Sequence, residues 1–398
     1  MVYRHIFRQQ KKDKRFCGSG ILKIIMSVLA VMIVLVIAFV TIVIANEGED
    51  KVVDEYLASQ PTPSPSVSIS PSPSDEPSPS PSVEPTYTGP VNPLTGLPVA
   101  AEIAHNRPYA IMINNIKAAQ PQIGISKADI IYEILVEGGI TRMMAVFQDV
   151  AGAGEIGSIR SARPYFVDIA FGLDALYIHA GGSNDAYSKL YSTDIFHLDG
   201  VNGNKQDIFF RDPVRKKNMG LVHSLVTTDE LILKHVPTYK VNTAHQSGYA
   251  CNMTFSDDAA AAGTLTAQRV TAHFSSSKTT SFTYSADSGA YAVSQYGSAY
   301  IDGNDQSIIS VANVLILRTT INVISGDDKG RIDVDVTGSG TGTFCCGGKY
   351  EEITWSRAKS TNQFTFTRED GTELVFARGK TYICIIANND KIDITSSL

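Results

Sequence analysis

The chain has 398 residues, with 34 Lys and Arg against 40 Asp and Glu, a formal net charge of −6 and an isoelectric point near 5.8. There is no basic excess to attract a polyanion, so neither nucleic acid nor an anionic membrane surface is an expected partner. About 300 residues follow the low-complexity part of the chain, which is too long for one average core and predicts two domains.

Residues 24–46 form an apolar run without a charged side chain. A bilayer core about 30 Å thick is spanned by about 20 helical residues, so this run predicts a transmembrane helix. The head, residues 1–23, is rich in Lys and Arg, whereas acidic residues predominate from Glu47 to Glu55. Because basic residues are retained in the cytoplasm, we expect a single-pass protein of the cell membrane with a cytoplasmic N-terminus and extracytoplasmic domains.

A cleaved signal peptide is the alternative interpretation of this run. The apolar region of a signal peptide is normally about 7–15 residues long, which is shorter than the run seen here. The small residues Val43 and Ala45 would fit a cleavage site. The length of the run favours an anchor that stays attached.

Residues 47–87 lead away from the predicted helix and become rich in Pro and Ser. Eleven of the 17 prolines lie within residues 60–93. Proline fixes φ and removes a hydrogen-bond donor, so this segment predicts a disordered stalk with polyproline II character. Such a stalk would lift a domain away from the membrane, and its Ser and Thr residues could also accept glycans.

Four cysteines lie beyond the predicted membrane span: Cys251, Cys345, Cys346 and Cys384. Four cysteines allow three disulfide pairings, and the adjacent pair would be strained as a bridge, which favours bonds to distant partners. No paired CxxC or CxxH spacing accompanies them, so no metal site is predicted. Structural disulfides and free thiols are the two interpretations that remain.

Residues 88–240 alternate short apolar runs with helical patterns, which predicts a mixed α/β domain. Helix starts are indicated by a capping-box pattern at Ser126, by Pro164 and by Ser183. The predicted strands are residues 109–113, 141–149 and 175–179, and the predicted helices are residues 126–135, 164–171, 183–192 and 228–235.

Residues 255–398 change towards β-branched and aromatic residues at alternate positions, which predicts a β-rich, mostly antiparallel domain. The turn sequences Asp287-Ser288-Gly289 and Glu369-Asp370-Gly371 separate such runs. An antiparallel sandwich or an open barrel fits this pattern, so the fold class predicted for the whole chain is α+β. The predicted strands are residues 270–275, 281–285, 291–295, 311–319 and 331–336.

Arginines in the first domain lie near predicted strand ends and helix starts. Arg160 and Arg163 share the loop before Pro164, and the sequence Gly181-Gly182-Ser183 opens a second helix. Guanidinium groups form bidentate hydrogen bonds with carboxylates and phosphates, and helix N-termini have free N–H groups that can bind an anion. We therefore expect an anion-binding cleft with the ligand-binding residues Arg142, Arg160, Arg163, His179, Ser183 and Arg211.

The alternative is that these arginines form structural salt bridges. Carboxylates available for that role are Glu133, Glu137, Asp168 and Asp199. The same region holds the candidates for acid–base catalysis, which are His179, Glu137 and Asp199. Structural roles compete with each of them, since a His at a strand end is often merely hydrogen-bonded and Ser183 is well placed to cap a helix. No Walker loop, HExxH or complete GxGxxG occurs, so no cofactor or metal is predicted.

Several short motifs resemble the YerB-like family of bacterial envelope proteins. They are residues 92–98 (NPLTGLP), 107–108 (RP), 127–133 (KADIIYE), 137–142 (EGGITR), 160–166 (RSARPYF), 179–183 (HAGGS), 353–356 (ITWS) and 379–381 (GKT). That family is common in Gram-positive bacteria, often consists of lipoproteins, and is a domain-of-unknown-function family. The resemblance implies an envelope location and a two-domain layout, and it brings no known reaction. This chain differs in having a predicted membrane span where such lipoproteins have a lipid-modified Cys.

These observations favour a membrane-anchored, extracytoplasmic protein that binds an anionic cell-envelope ligand, either peptidoglycan or a wall polymer. One alternative is an envelope enzyme that hydrolyses or transfers glycans or phosphodiesters. Another is a protein-interaction scaffold for cell-wall machinery, with the β-rich domain as its docking surface.

Overall fold

The computed structural model describes residues 88–203, 207–259, 263 and 265–397, and all of them belong to one compact unit. The predicted head, membrane helix and stalk lie outside these residues. Among the helices that are described, none combines the length and the apolar character needed to cross a bilayer.

The described residues form mixed sheets with few helices, which agrees with the prediction of a chain that contains both helices and strands and is mostly β in its second half. The α-helices are α1 (Ala101–Ala104), α2 (Pro164–Gly172), α3 (Asn184–Ser192), α4 (Pro213–Met219) and α5 (Asp229–His235). The strands of the first half are β1 (Tyr109–Asn115), β2 (Ile130–Leu135), β3 (Thr141–Phe147), β4 (Glu155–Gly157), β5 (Leu176–His179), β6 (His197–Asp199), β7 (Phe210–Arg211) and β8 (Leu225–Thr228).

The second half is almost entirely β-structure. Its strands are β9 (Thr254–Ser256), β10 (Leu265–Thr266), β11 (Arg269–Ser275), β12 (Lys278–Ser285), β13 (Ala290–Gln295), β14 (Ser298–Ala299), β15 (Ser310–Val311), β16 (Asn313–Thr319), β17 (Ile321–Val323), β18 (Ile332–Val334), β19 (Gly338–Cys346), β20 (Lys349–Arg357), β21 (Thr365–Arg368), β22 (Val375–Ala377), β23 (Thr381–Ala387) and β24 (Ile392–Thr395).

One eleven-stranded sheet runs through both halves of the chain. Its order is β10-β20-β19-β16-β23-β2-β3-β1-β5-β6, with β21 paired to β20. The two halves join where β2 and β23 pair in parallel, with Ile130 opposite Thr381. Strands from both predicted domains therefore share one sheet, and the division at residues 240–255 remains a prediction about folding units.

Both faces of the main sheet are covered. Along β1, Ala110 and Met112 pack into one core with Phe166 of α2, while Ile111 packs into a second core with Phe282 of β12. The strand β12 belongs to a second, six-stranded sheet of order β14-β13-β12-β11-β24, with β15 paired to β13. Central strands buried on both faces read as continuous apolar runs, which explains why β1 and β3 lack polar alternation.

The helix predicted for residues 126–135 is wrong. Ile125–Lys127 makes a single 3-10 turn, and Ile130–Leu135 is the buried strand β2. A short apolar run cannot be assigned to helix or strand by periodicity alone, and the β-branched residues of this run suit a sheet. Asp129 does not cap a helix; its carboxylate accepts hydrogen bonds from the backbone N–H of Gln148 at 2.6 Å and from Asn92 Nδ2 at 3.0 Å.

The other helices and strands predicted for the first domain are found within a few residues of their expected ends. The four cysteines that follow the predicted membrane span are free thiols, so the predicted bonds to distant partners are absent among them. Cys345 and Cys346 point into the cores on opposite faces of the main sheet, since side chains alternate along a strand. Burial raises the pKa of Cys346 to about 11.

Candidate functional site

The candidate site lies at the edge of the main sheet where β1, β5 and β6 end. These three strands run parallel, so their carboxyl ends meet at one edge. The segment between β4 and α2 crosses this edge, and Arg160 donates its N–H to Met112 O at 3.0 Å. Ala162 donates to Gly181 O at 2.9 Å, so the arginine loop and the Gly181-Gly182-Ser183 turn lie side by side.

Two of the predicted ligand-binding arginines are ion-paired to one carboxylate. Arg163 donates to both oxygens of Glu137, with Nε 3.0 Å from Oε2, and Arg142 Nη2 lies 3.2 Å from Oε1. Burial lowers the pKa of Arg142 to about 10, and the nearby charge of Arg163 adds to this shift. Burial alone would raise the pKa of Glu137, but the hydrogen bond from Arg163 and the two positive charges lower it overall. The salt-bridge alternative is thus realised for Arg142 and Arg163.

Arg160 and Arg211 differ from that pair. Within the described residues neither has a carboxylate at ion-pair distance; both donate to backbone carbonyls of one turn, Arg160 Nη1 to Val222 O at 3.1 Å and Arg211 Nη1 to Leu221 O at 2.5 Å. Arg160 Nε is buried and has no hydrogen-bond acceptor there. Burial, together with the charges of Arg163 and Arg211, lowers the pKa of Arg160. Positive charge is therefore left uncompensated on this side of the cluster.

The turn that receives these two arginines was not identified from the sequence. It is the 3-10 turn Leu221–His223, which follows Gly220 with its positive φ of 94°. Leu221 and Val222 are about half exposed, whereas His223 is buried and its Nδ1 lies 2.8 Å from Asn114 Nδ2. Gly220 was the only hint of a turn in the sequence, since glycine often marks a sharp change of chain direction. It gives no indication that Arg160 and Arg211 would bind to this turn.

His179, Asp199 and Ser183 hold the turn at Gly181 in place. His179 is fully buried; its Nδ1 lies 2.9 Å from Gly181 O and its Nε2 lies 3.1 Å from His197 Nδ1. Asp199 Oδ1 accepts the Gly181 N–H at 2.7 Å. Ser183 Oγ accepts the N–H of Ala186 at 3.2 Å and caps α3.

These contacts bear on the catalytic candidates. Burial lowers the pKa of His179 to about 4, so the ring is neutral at physiological pH and both its nitrogens are engaged within the protein. For Asp199, burial raises the pKa, but hydrogen bonds from Tyr187 OH and from the Gly181 N–H lower it overall. Glu137 is occupied by two arginines. The contacts are those of positioning residues, and we assign no reaction to them.

A small groove of about 370 Å³ opens beside Arg163 and Ser183. Its other charged residues are Lys189, Arg331, Asp185 and Asp333. Each of its three basic groups already has an acidic partner, since Arg163 pairs with Glu137, Lys189 with Asp168 and Arg331 with Asp327. An anion would therefore find more uncompensated charge at Arg160 and Arg211 than in this groove.

Within the part of the chain that the structure describes, no group of three or more His, Cys, Asp or Glu side chains is arranged to hold a metal ion. Glu133, the remaining predicted salt-bridge partner, is fully buried away from the arginines and pairs with Lys278, 3.0 Å away.

Replacing Glu137 with Gln is expected to strengthen binding of an anion to this edge while weakening the fold. Loss of the carboxylate frees Arg142 and Arg163, but it also leaves two buried guanidinium groups without their counter-charge. We expect the free energy of unfolding to fall by about 1–2 kcal/mol, because hydrogen bonds to charged groups are worth about that much in partly exposed positions. Urea unfolding and titration with inorganic phosphate measure the two effects.

The matched control is Glu369→Gln, which removes a carboxylate from an exposed turn. It is expected to change neither measurement. An unchanged or weaker phosphate affinity in the Glu137→Gln protein would show that the carboxylate does not compete with anions for the arginines.

Known proteins resemble this chain along most of its length. Residues 94–242 match the family model described as "Protein of unknown function (DUF3048) N-terminal domain", and residues 270–383 match the corresponding C-terminal domain. The Bacillus subtilis (strain 168) protein named "Putative lipoprotein YerB" is 30% identical over 310 residues, which cover 76% of this chain and 88% of that protein. The crystal structure of the YerB protein from Bacillus subtilis has a TM-score of 0.65 at 27% identity and covers 76% of this chain and 99% of that chain. The chain therefore belongs to the DUF3048 family of proteins of unknown function.

Proposed function

We propose that this chain is an extracytoplasmic, membrane-anchored protein that binds an anionic ligand of the cell envelope at the edge formed by Arg160 and Arg211. The ligand is a carboxylate of peptidoglycan or a phosphate of a wall polymer. The apolar run at residues 24–46 would anchor the protein in the cell membrane, with the stalk carrying the folded unit outward. The lipoprotein name of the Bacillus subtilis relative supports an envelope location.

The observation that carries the proposal is the surplus of guanidinium groups at one edge. Arg142, Arg160, Arg163 and Arg211 lie near one another, and the described residues place one carboxylate, Glu137, in ion-pair contact with any of them. A buried N–H of Arg160 lacks an acceptor. Charged groups that are partly removed from water are costly unless an opposite charge is supplied, so the cluster is suited to an external anion.

The exposed residues beside these arginines refine the ligand. The carbonyls of Leu221 and Val222 accept the Arg211 and Arg160 hydrogen bonds, and the apolar side chains of these two residues are about half exposed on the same turn. A wall polymer with apolar or N-acetyl substituents beside its charge would contact both kinds of group. Guanidinium forks would fix the charge, and the apolar rim would exclude water around it.

The test is an Arg160→Ala, Arg211→Ala double variant of the full-length protein, titrated with peptidoglycan fragments and with wall teichoic acid by calorimetry. We expect affinity to fall at least about 100-fold, because two charge-assisted hydrogen bonds of about 1.5–3 kcal/mol each are lost. Binding to the unmodified protein should also weaken as salt is added, since the charges lie near the surface.

A Lys329→Ala, Lys359→Ala double variant is the control, because it removes two positive charges from exposed positions elsewhere. It should bind as tightly as the unmodified protein. If the arginine variant binds each of the two anionic polymers as tightly as the control variant does, this edge is excluded as the binding site.

A further inference from the structure

A second cavity lies on the β6 side of the main sheet, away from the ion-paired arginines Arg142 and Arg163. Its volume is about 1010 Å³, which is at the upper end of the range for small-molecule sites. The end of α2, the loop leading into β6 and the connector between the two halves of the chain contribute to its walls. The lining includes Phe171, Phe196, His197, Tyr239 and Tyr249.

One part of the wall is a fixed group of planar side chains. Arg107 Nε donates to the Asp174 backbone carbonyl at 2.7 Å and forms an ion pair with Asp174 Oδ1 at 3.1 Å, while Asp174 Oδ2 accepts a hydrogen bond from His245 Nδ1 at 2.9 Å. The Tyr249 ring stacks on the His245 ring with their centroids 3.8 Å apart and 10° between their planes. The Arg107 charge is thus compensated inside the wall, and a flat aromatic surface is held rigidly beside it.

Charges of both signs remain in the lining, where the Asp199 carboxylate already accepts hydrogen bonds from the Gly181 and Val201 N–H groups and from Tyr187 OH. Asp194 and Lys240 are exposed and have no ion-pair partner within the described residues, and they carry opposite signs. The Gln246 side-chain amide likewise makes no hydrogen bond within those residues. The cavity thus offers both hydrogen-bond donors and acceptors, and its basic groups do not outnumber its acidic ones, so it lacks the positive excess that would attract an anion.

Hydrogen bonds also fix the tautomer of His197. His179 Nδ1 must carry a proton, because it faces the Gly181 carbonyl. His179 Nε2 is then an acceptor and receives the proton of His197 Nδ1, 3.1 Å away. In this arrangement His197 Nε2 carries a lone pair, so the ring offers an acceptor to the cavity that its residue lines.

We propose that this cavity binds an uncharged saccharide. The C–H faces of sugar rings pack on aromatic rings, and their hydroxyl groups pair with planar polar side chains that can donate and accept. Phe196, Tyr239 and Tyr249 supply the aromatic surfaces, while Asp194, Gln246 and His197 supply the hydrogen-bonding groups. This site uses residues other than the arginines of the anion-binding edge and stands whether or not that edge binds a polymer.

The test is binding of three uncharged tetrasaccharides, chitotetraose, maltotetraose and laminaritetraose, to the full-length protein in a detergent that has no sugar headgroup. Saturation-transfer NMR detects contact, and calorimetry gives the affinity. We expect at least one tetrasaccharide to bind. Asp194→Ala should weaken that binding about tenfold or more, and Gln246→Ala should weaken it about fivefold.

Asp287→Ala is the matched control, since Asp287 is an exposed carboxylate in a hairpin turn outside the cavity. It should leave saccharide affinity unchanged, as should the Arg160→Ala, Arg211→Ala variant. The proposal is overturned if none of the three saccharides binds. It is also overturned if the Asp194→Ala and Gln246→Ala proteins bind the saccharide as tightly as the unmodified protein does. Within the described residues these two exposed side chains make no hydrogen bond or ion pair, so both variants should fold, which circular dichroism checks.

Discussion

Replacing Lys278 with Met is expected to lower the free energy of unfolding by about 3–5 kcal/mol, because it leaves a buried carboxylate without its counter-charge. Lys278 Nζ lies 3.0 Å from Glu133 Oε1, and both side chains are almost fully removed from solvent, 1% and 0% exposed. Glu133 is on β2 of the main sheet, whereas Lys278 opens β12 of the second sheet. The ion pair therefore joins the two sheets across one of the cores.

A second replacement should recover part of this loss. Glu133 Oε1 accepts hydrogen bonds from Asn115 and Thr141, and Oε2 accepts them from the hydroxyls of Thr280 and Tyr382. Gln at position 133 could keep its oxygen on the first side and turn its NH2 towards the two hydroxyls, which can accept as well as donate. The Lys278→Met, Glu133→Gln protein should then be more stable than Lys278→Met alone.

Urea unfolding of the full-length proteins measures both effects, followed by circular dichroism and by the fluorescence of Trp355, the single tryptophan of the chain. Lys329→Ala is the control, since it removes a mostly exposed lysine and should change stability by no more than about 0.5 kcal/mol. A loss of no more than about 0.5 kcal/mol in the Lys278→Met protein would show that the buried pair contributes little. A double variant less stable than Lys278→Met alone would contradict the proposed coupling.

The buried pair also shows where sequence reasoning reached its limit. Strands β1 and β3 and helices α2 and α3 were predictable from local signals, namely two-sided apolar runs, Pro164 at a first turn and the Ser183 cap. The pairing of β2 with β23 was not predictable, because it places Glu133 opposite Cys384 across most of the described chain. Local patterns carry no information about such register, which is set by packing of the whole sheet.

The candidate site divides in the same way. Sequence placed the arginine loop and the Gly181 turn at strand ends, and the structure does bring them together. The sequence could not show that Glu137 pairs with Arg142 and Arg163 while Arg160 turns towards Val222. That choice depends on side-chain directions in loops far apart in the chain, and the paired and unpaired arginines look alike in a one-dimensional pattern.

Acidification from pH 7.5 to 5 is expected to cost about 2 kcal/mol of stability through His179, opposed in part by Asp129, whose pKa burial raises to about 6. Burial lowers the pKa of His179 from 6.5 to about 4, so the native state favours the neutral ring. As the pH falls below 6.5, His179 becomes protonated in the unfolded chain but stays neutral in the native state. The stability contributed by the neutral ring is therefore complete above pH 6.5 and is lost as pH falls towards 4.

The groups around His179 act in both directions on this shift. The charge of Asp199 and the hydrogen bond to the Gly181 carbonyl raise the pKa of His179, while His197 lowers it. Neither favourable contact compensates for burial, since His179 is 0% exposed. Protonation would also oblige His197 to exchange its tautomer, because both nitrogens of His179 would then be donors.

His179→Asn tests this account, because Asn can still donate to the Gly181 carbonyl but does not titrate in this range. Its stability at pH 7.5 should be lower than that of the unmodified protein, since a smaller side chain leaves a cavity. Its further loss between pH 7.5 and 5 should be smaller by about 2 kcal/mol, as measured by urea unfolding at both pH values. The exposed His105→Asn control should show the full loss, because its ring is already in water. An equal pH dependence in the His179→Asn and unmodified proteins would mean that another group controls the acid sensitivity of the fold.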